Sequence, residues 1–283
     1  MNEQLNTNKK YYERFDAYSR FLHILVITSF ISLALTGMII KFSGIGLFQT
    51  ISSMMGGYAV TGFIHRVAAV VTFIYFFLHI AYLLRKKNKK GIPFTSLLKG
   101  ENSLVPNKRD LSELIATMKW FIGKGPRPKY GRWTYWEKFD YWAVFWGVAV
   151  IGSSGLILWF PEFFTNLGLP GSFINIATII HSDEALLAVG FIFTYHFFNT
   201  HFRPDKFPMD TVIFTGKVSL DELKEDRPRE YEMIMQDPEL QKKLGDPPSV
   251  FLSRAARIFG FTALTIGVIL IILIIYSMIF LYQ

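Results

Sequence analysis

Six histidines are the residues of this 283-residue sequence best suited to chemistry, and all six lie in or beside long apolar runs: His23, His65, His79, His181, His196 and His201. An ionisable side chain in hydrocarbon is costly and normally faces the interior of a helix bundle with a partner. Any one of them could be an ordinary helix-end histidine; six on three segments point to a shared purpose. His65 and His79 are fourteen residues apart, and His181 and His196 fifteen. On an α-helix each pair spans roughly 21 to 23 Å, with its members within about 40 to 60° of one face. Each helix then offers an imidazole near each end on a common face. Two such helices can hold a flat iron macrocycle between axial imidazoles, and iron ligated this way has no open position and suits one-electron transfer. The absence of cysteine excludes iron–sulfur clusters, thiolate nucleophiles, c-type haem attachment and disulfides.

The elements that must position these histidines are membrane spans. Hydrophobic residues make up 51% of the chain, and residues 21–40, 59–84, 142–160, 174–198 and 258–281 are long, apolar and nearly free of charge. Each is near or above the ~20 residues needed to cross ~30 Å of hydrocarbon. The fold expected is an all-α integral membrane protein, a transmembrane bundle of five helices. Residues 1–202 form a four-helix haem-binding core, with helices at about 20–41, 58–84, 140–161 and 174–202 and a cytoplasmic loop at 85–139. A second cytoplasmic loop covers 203–254, and the fifth helix lies within 255–283. That helix has no histidine and is expected to be peripheral and lipid-facing. The polar first twenty residues carry no small-residue cleavage site, so no removable signal peptide is expected.

The net charge of +8 does not indicate nucleic acid, because Lys and Arg pile up in alternate connections. Lys9, Lys10, Arg14 and Arg20 precede the first span, residues 85–138 hold fourteen Lys and Arg, and residues 203–257 hold ten. The intervening connections hold one, at Lys41, and none over residues 161–180. The positive-inside tendency places the N-terminus and both basic loops in the cytoplasm and the C-terminus outside, in a multi-pass protein of a bacterial or archaeal cytoplasmic membrane. Within the loops, Leu111, Leu114, Ile115 and Met118 recur at helical spacing over residues 110–121, the pattern of a helix lying on the membrane surface. Residues 220–235 are a second helical candidate, in a charged segment that reads either as a solvated cap or as a docking site for a partner.

With this orientation His65 and His181 lie near the outer surface and are natural ligands of an outer haem, while His23, His79, His196 and His201 compete for an inner one. Ser19-Arg20-Phe21-Leu22-His23, Ile64-His65-Arg66, Ile180-His181 and Tyr195-His196 resemble the cytochrome b subunit family of membrane formate dehydrogenases and nickel–iron hydrogenases. The resemblance covers about the first two hundred residues. It implies two b haems, the outer on His65 and His181 and the inner on His23 and His196. His79, His201 and the fifth helix depart from the family pattern. His79 would suit the pairing of quinol-oxidising bc complexes, in which two helices hold both haems, and a third haem between His79 and His201 is conceivable. Yet His201 lies five residues past His196, turned ~140° from it on a simple helix, and is a candidate for the quinone site instead.

Arg20 and Arg66 could offset haem propionates. Gly147, Gly152 and Gly155 could let a macrocycle approach the third span. Tyr18, Glu137, Asp140, Asn199, His201 and Asp205 are candidates for hydrogen bonding a quinone near the inner surface. The function expected is electron transfer through b haems between membrane menaquinone or ubiquinone and a periplasmic redox subunit: a multihaem c-type cytochrome, a dehydrogenase or a hydrogenase. This makes the chain part of a quinone oxidoreductase rather than a complete enzyme. The competing expectations are a haem-free proton-relay subunit and an inert membrane anchor.

Overall fold

The computed structural model describes residues 11–90, 98–100 and 102–281. Lys9 and Lys10 of the first basic cluster, and residues 91–97 of the first basic loop, lie outside them.

Among the described residues, five helices are long and apolar enough to cross a membrane. They are α1 (Ala17–Lys41), α3 (Tyr58–Lys90, of which Tyr58–Asn88 is the span), α5 (Tyr135–Trp159), α7 (Ser172–Phe202) and α12 (Val250–Tyr276, continued by one π-turn to Leu281). Short helices α2 (Gly46–Met54) and α6 (Pro161–Asn166) fill two of the connections. Helix α4 (Lys108–Phe121) opens with a capping box, Asn107 accepting from the Arg109 N–H and Asp110 from the Asn107 N–H. The chain is thus an all-α, multi-pass membrane protein carrying only a small sheet.

The described chain divides into two compact units. One comprises residues 22–80, 143–209 and 259–283. Its core joins Ile39, Phe42 and Phe48 to Val189, Phe193 and Phe197 of α7 and to Leu264, Leu270 and Ile274 of α12. Apolar lipid gives little drive for such packing, so close contact and small residues supply it. Gly267 is the small residue here: a Cβ at that position would lie 2.7 Å from the rings of both Phe193 and Phe197. The fifth helix, expected to be peripheral, thus packs one face against α7 through Leu264, Leu270 and Ile274. One side of the helix is packed, while a broad opposite face, including Ile258, Phe261, Ile269, Ile272 and Ile275, is exposed.

Helix α7 is not regular. Residues Ile192–His196 and Phe198–Phe202 are π-helical. Thr194 and Thr200 hydroxyls and the Asn199 amide donate to the carbonyls of Gly190, His196 and Tyr195, respectively. Side-chain bonds to carbonyls four residues back compete with the backbone ladder and accompany such distortions.

The other unit comprises residues 1–21, 81–142 and 210–258. Its three-stranded antiparallel sheet has β1 (Tyr11–Glu13) between β2 (Lys217–Ser219) and β3 (Leu244–Gly245). Tyr12, Val212, Val218, Leu223 and Ile234 form its core, with α8 (Val212–Thr215), α9 (Leu220–Asp226), α10 (Pro228–Gln236) and α11 (Pro238–Gln241) around it. The helix expected over residues 220–235 is split at Arg227, because the residue before a proline is driven out of helical geometry and Pro228 starts a new helix.

Buried ion pairs bind the three segments of this unit together. Arg227 grips Glu137 with two bonds of 3.0 and 2.9 Å, and Glu230 receives Arg132 at 2.7 Å and Arg14 at 3.3 Å. Burial and the neighbouring Arg227 lower the Arg14 pKa. Burial also depresses Arg227, but Glu137 and Glu230 outweigh it, and the net shift is upward. Residues 210–250 thus fold into short helices and two strands tied to the rest of the unit by ion pairs.

Candidate functional site

His65 on α3 and His181 on α7 face each other, with ring centroids 6.2 Å apart and planes at 74°. Helices α1 and α5 set both rings. The His65 Nδ1 lies 2.9 Å from the Thr36 hydroxyl, whose own proton goes to the Ser32 carbonyl at 2.6 Å. The hydroxyl must then accept, so Nδ1 of His65 carries the proton. The Nδ1 of His181 lies 2.9 Å from the Ile151 carbonyl, which can only accept, and 3.4 Å from the Ser154 hydroxyl. Both imidazoles are thereby fixed in the tautomer that leaves the Nε2 lone pair for a metal, the outer-shell arrangement that orients metal-binding histidines.

Glycines complete both seats. A Cβ on Gly37, next to Thr36, would stand 3.4 Å from the His65 ring, and one on Gly155, next to Ser154, would stand 2.9 Å from that of His181. A hydroxyl residue followed by glycine thus recurs on α1 and α5, the hydroxyl meeting Nδ1 and the glycine making room for the ring. Of the three glycines singled out on α5, Gly155 meets a histidine, Gly152 meets Phe73 at 3.0 Å, and Gly147 meets only Ile151 of its own helix. Thr36, Gly37, Ile151 and Ser154 were not evident from residue type. The signal that could have found them is the pair Thr36-Gly37 and Ser154-Gly155 on helices flanking histidine helices.

The structure also gathers His23, His196 and His201. His23 lies within electrostatic reach of the other two, and the rings of His196 and His201 are 6.4 Å apart. The expectation that His201 points away from His196 fails for a local reason: a π-turn holds more than four residues, so a residue five positions on returns toward the same face. His201 is buried against Phe197. His79 instead sets its ring edge against Phe145, with centroids 6.3 Å apart.

The remaining candidates are distributed as follows. Arg66 lies over the Trp159 ring at 6.0 Å, and Arg20 donates to the Phe214 carbonyl at 3.3 Å. Tyr18 stacks on Tyr82. Glu137 is committed to Arg227 and to the Thr134 backbone, and Asp205 pairs with Arg203 at 3.3 Å. Asp140 lies in the first turns of α5. Asn199, His201 and Asp205 share a unit with the three gathered histidines; Tyr18, Glu137 and Asp140 belong to the other.

Residues 3–100 match the family model described as prokaryotic cytochrome b561. That segment carries α1, α3, His23 and His65, and the match agrees with the motif resemblance to the cytochrome b family of nickel–iron hydrogenases. A search of curated proteins found no match.

Haem b is the group such a family implies, and the outer site fits it. With about 2 Å from metal to imidazole nitrogen and about 1.1 Å from nitrogen to ring centre, two rings bridged by one metal stand roughly 6.3 Å apart. The 6.2 Å between His65 and His181 matches that spacing.

Proposed function

We propose that the chain carries electrons across the membrane by way of two b haems, the outer held by His65 and His181 and the inner by His23 and His196. The electrons pass between a quinone near the cytoplasmic face and a periplasmic redox partner. The observation that carries this reading is the outer pair, two imidazoles at metal-bridging distance with both Nδ1 atoms bonded inward. His65 and His181 would hold haem b there, and it would supply one-electron transfer. The protein's own work is to hold the rings: Thr36 and Ile151 fix the tautomers, Gly37 and Gly155 admit the ring edges, and Arg66 would offset propionate charge.

On the cytoplasmic side we assign the quinone to the neighbourhood of His201 and Asn199, two of the polar groups that share a unit with His23 and His196. The charge pattern favours the N-terminus inside and the C-terminus outside, with residues 1–202 as the electron-carrying core and the fifth helix buttressing α7. The partner must bring its own redox centre, for which a hydrogenase, a dehydrogenase or a multihaem cytochrome is chemically suitable.

Stopped-flow reduction by a soluble quinol tests this arrangement. In the His65→Ala protein, quinol should still reduce the remaining haem, while transfer to an external acceptor stops. In the His23→Ala protein, quinol should leave the outer haem oxidised. Rapid reduction of the outer haem in His23→Ala would place the quinone elsewhere.

A further inference from the structure

Helix α4 is amphipathic in the inverse sense. Its buried residues are polar: Asp110, Glu113 and Thr117. Its exposed stripe is apolar, comprising Leu111, Leu114, Ile115, Met118, Phe121 and Ile122, with Met118 at 60% and Phe121 at 71% exposure. At about 100° per residue that stripe is roughly 120° wide. Lys108 and Lys119 border it on one side and Lys124 follows the helix, all three exposed.

The buried face is bolted to a membrane span. Lys138 in the first turn of α5 pairs with Asp110 at 2.9 Å, with only 1% and 7% of the two side chains exposed. Trp142, two turns into α5, donates from its indole to the Leu104 carbonyl at 3.0 Å, just ahead of α4. The Thr117 and Tyr130 hydroxyls bond at 2.7 Å. Burial raises the Glu113 pKa, partly offset by Arg109. These bonds hold α4 level with the end of a span, where the hydrocarbon begins.

We propose that α4 is a lipid-binding helix, seated in the headgroup layer with its apolar stripe toward the acyl chains and Lys108, Lys119 and Lys124 on the phosphates of anionic phospholipids. A helix turning apolar side chains outward at this depth meets lipid, and the lysines select the anionic kind. The polar side chains that would ordinarily face water are buried instead, Asp110 against Lys138 of α5, Thr117 against Tyr130 just ahead of it, and Glu113 against Arg109 of its own helix.

The chain has no cysteine, so a single introduced one can be labelled alone. The whole protein, carrying Met118→Cys on the apolar stripe or Ser112→Cys on the lysine side, would be labelled with a polarity-sensitive fluorophore and placed in nanodiscs of phosphatidylcholine with or without phosphatidylglycerol. Nitroxide-bearing lipid should quench the Met118 label at least threefold more than the Ser112 label. Phosphatidylglycerol should strengthen the difference, and Lys108→Gln, Lys119→Gln and Lys124→Gln together should abolish that strengthening. Equal quenching at both positions would overturn the proposal. So would a Met118 label shielded from both lipid and aqueous quenchers, which would mean that protein covers the stripe, and so would indifference to lipid charge.

Discussion

The substitution Gly155→Ala tests the outer site by adding one methyl group to the seat of His181. The new Cβ would stand 2.9 Å from Cε1 and 3.2 Å from Nδ1 of the ring. An ordinary contact begins near 3.4 Å, so the ring must recoil by about 0.5 Å, whereas metal–ligand distances hold to about 0.2 Å. The same recoil strains the 2.9 Å bond from Nδ1 to the Ile151 carbonyl. Disturbing the groups that orient a ligand typically costs 10- to 100-fold in metal affinity, so the outer haem should be lost at least tenfold more readily than in the unsubstituted protein. Gly37→Ala is the control, because its Cβ meets His65 at a tolerable 3.4 Å. The assay is haem content with a reduced-minus-oxidised spectrum on each purified variant. Equal haem loss in both, or in neither, would refute the reasoning.

Thr36→Val removes the acceptor of the His65 Nδ1 proton, making the imidazole a poorer donor. If the bond is worth about 1 kcal/mol and acts on the ferric state, redox titration should show the outer haem potential rising by about 40 mV, with Thr36→Ser near the original value. His181→Ala should remove one haem and leave the other, and His79→Ala should remove neither; loss of a haem with His79 would restore the pairing in which two helices hold both. Asp16 caps α1, accepting from the Ser19 N–H at 2.8 Å and from the Tyr82 hydroxyl. Burial raises its pKa, but these bonds outweigh it and hold the carboxyl below its ordinary value. Its contribution is therefore present above the unfolded carboxylate pKa of about 4 and fades as pH falls below it. Asp16→Ala should cost about 1 kcal/mol near neutrality, seen as a lower melting temperature, and the gap should narrow in acid.

Five spans were legible because stretches of twenty apolar residues have few other uses, and the histidines were legible because charge-capable groups are rare there. What held the histidines was not. Thr36, Ser154 and the Ile151 carbonyl are common groups whose meaning comes only from a ring on a neighbouring helix. The face of His201 is not legible in the sequence, because residues 192–202 wind as π-turns and a regular 100° step does not hold across them. The sheet was hidden for a different reason: strands of two or three residues, separated by about two hundred positions, carry no periodic signal of their own. The packed face of helix α12 was not legible because Ile and Leu suit lipid and core equally, and only Gly267 hinted at close packing.

Quantitative haem analysis of the purified chain, with reduced-minus-oxidised difference spectra on the same sample, tests the central claim most directly. Two b haems per chain, both low spin, are expected. Well-folded protein without haem would contradict that claim and leave a membrane anchor or proton relay in its place.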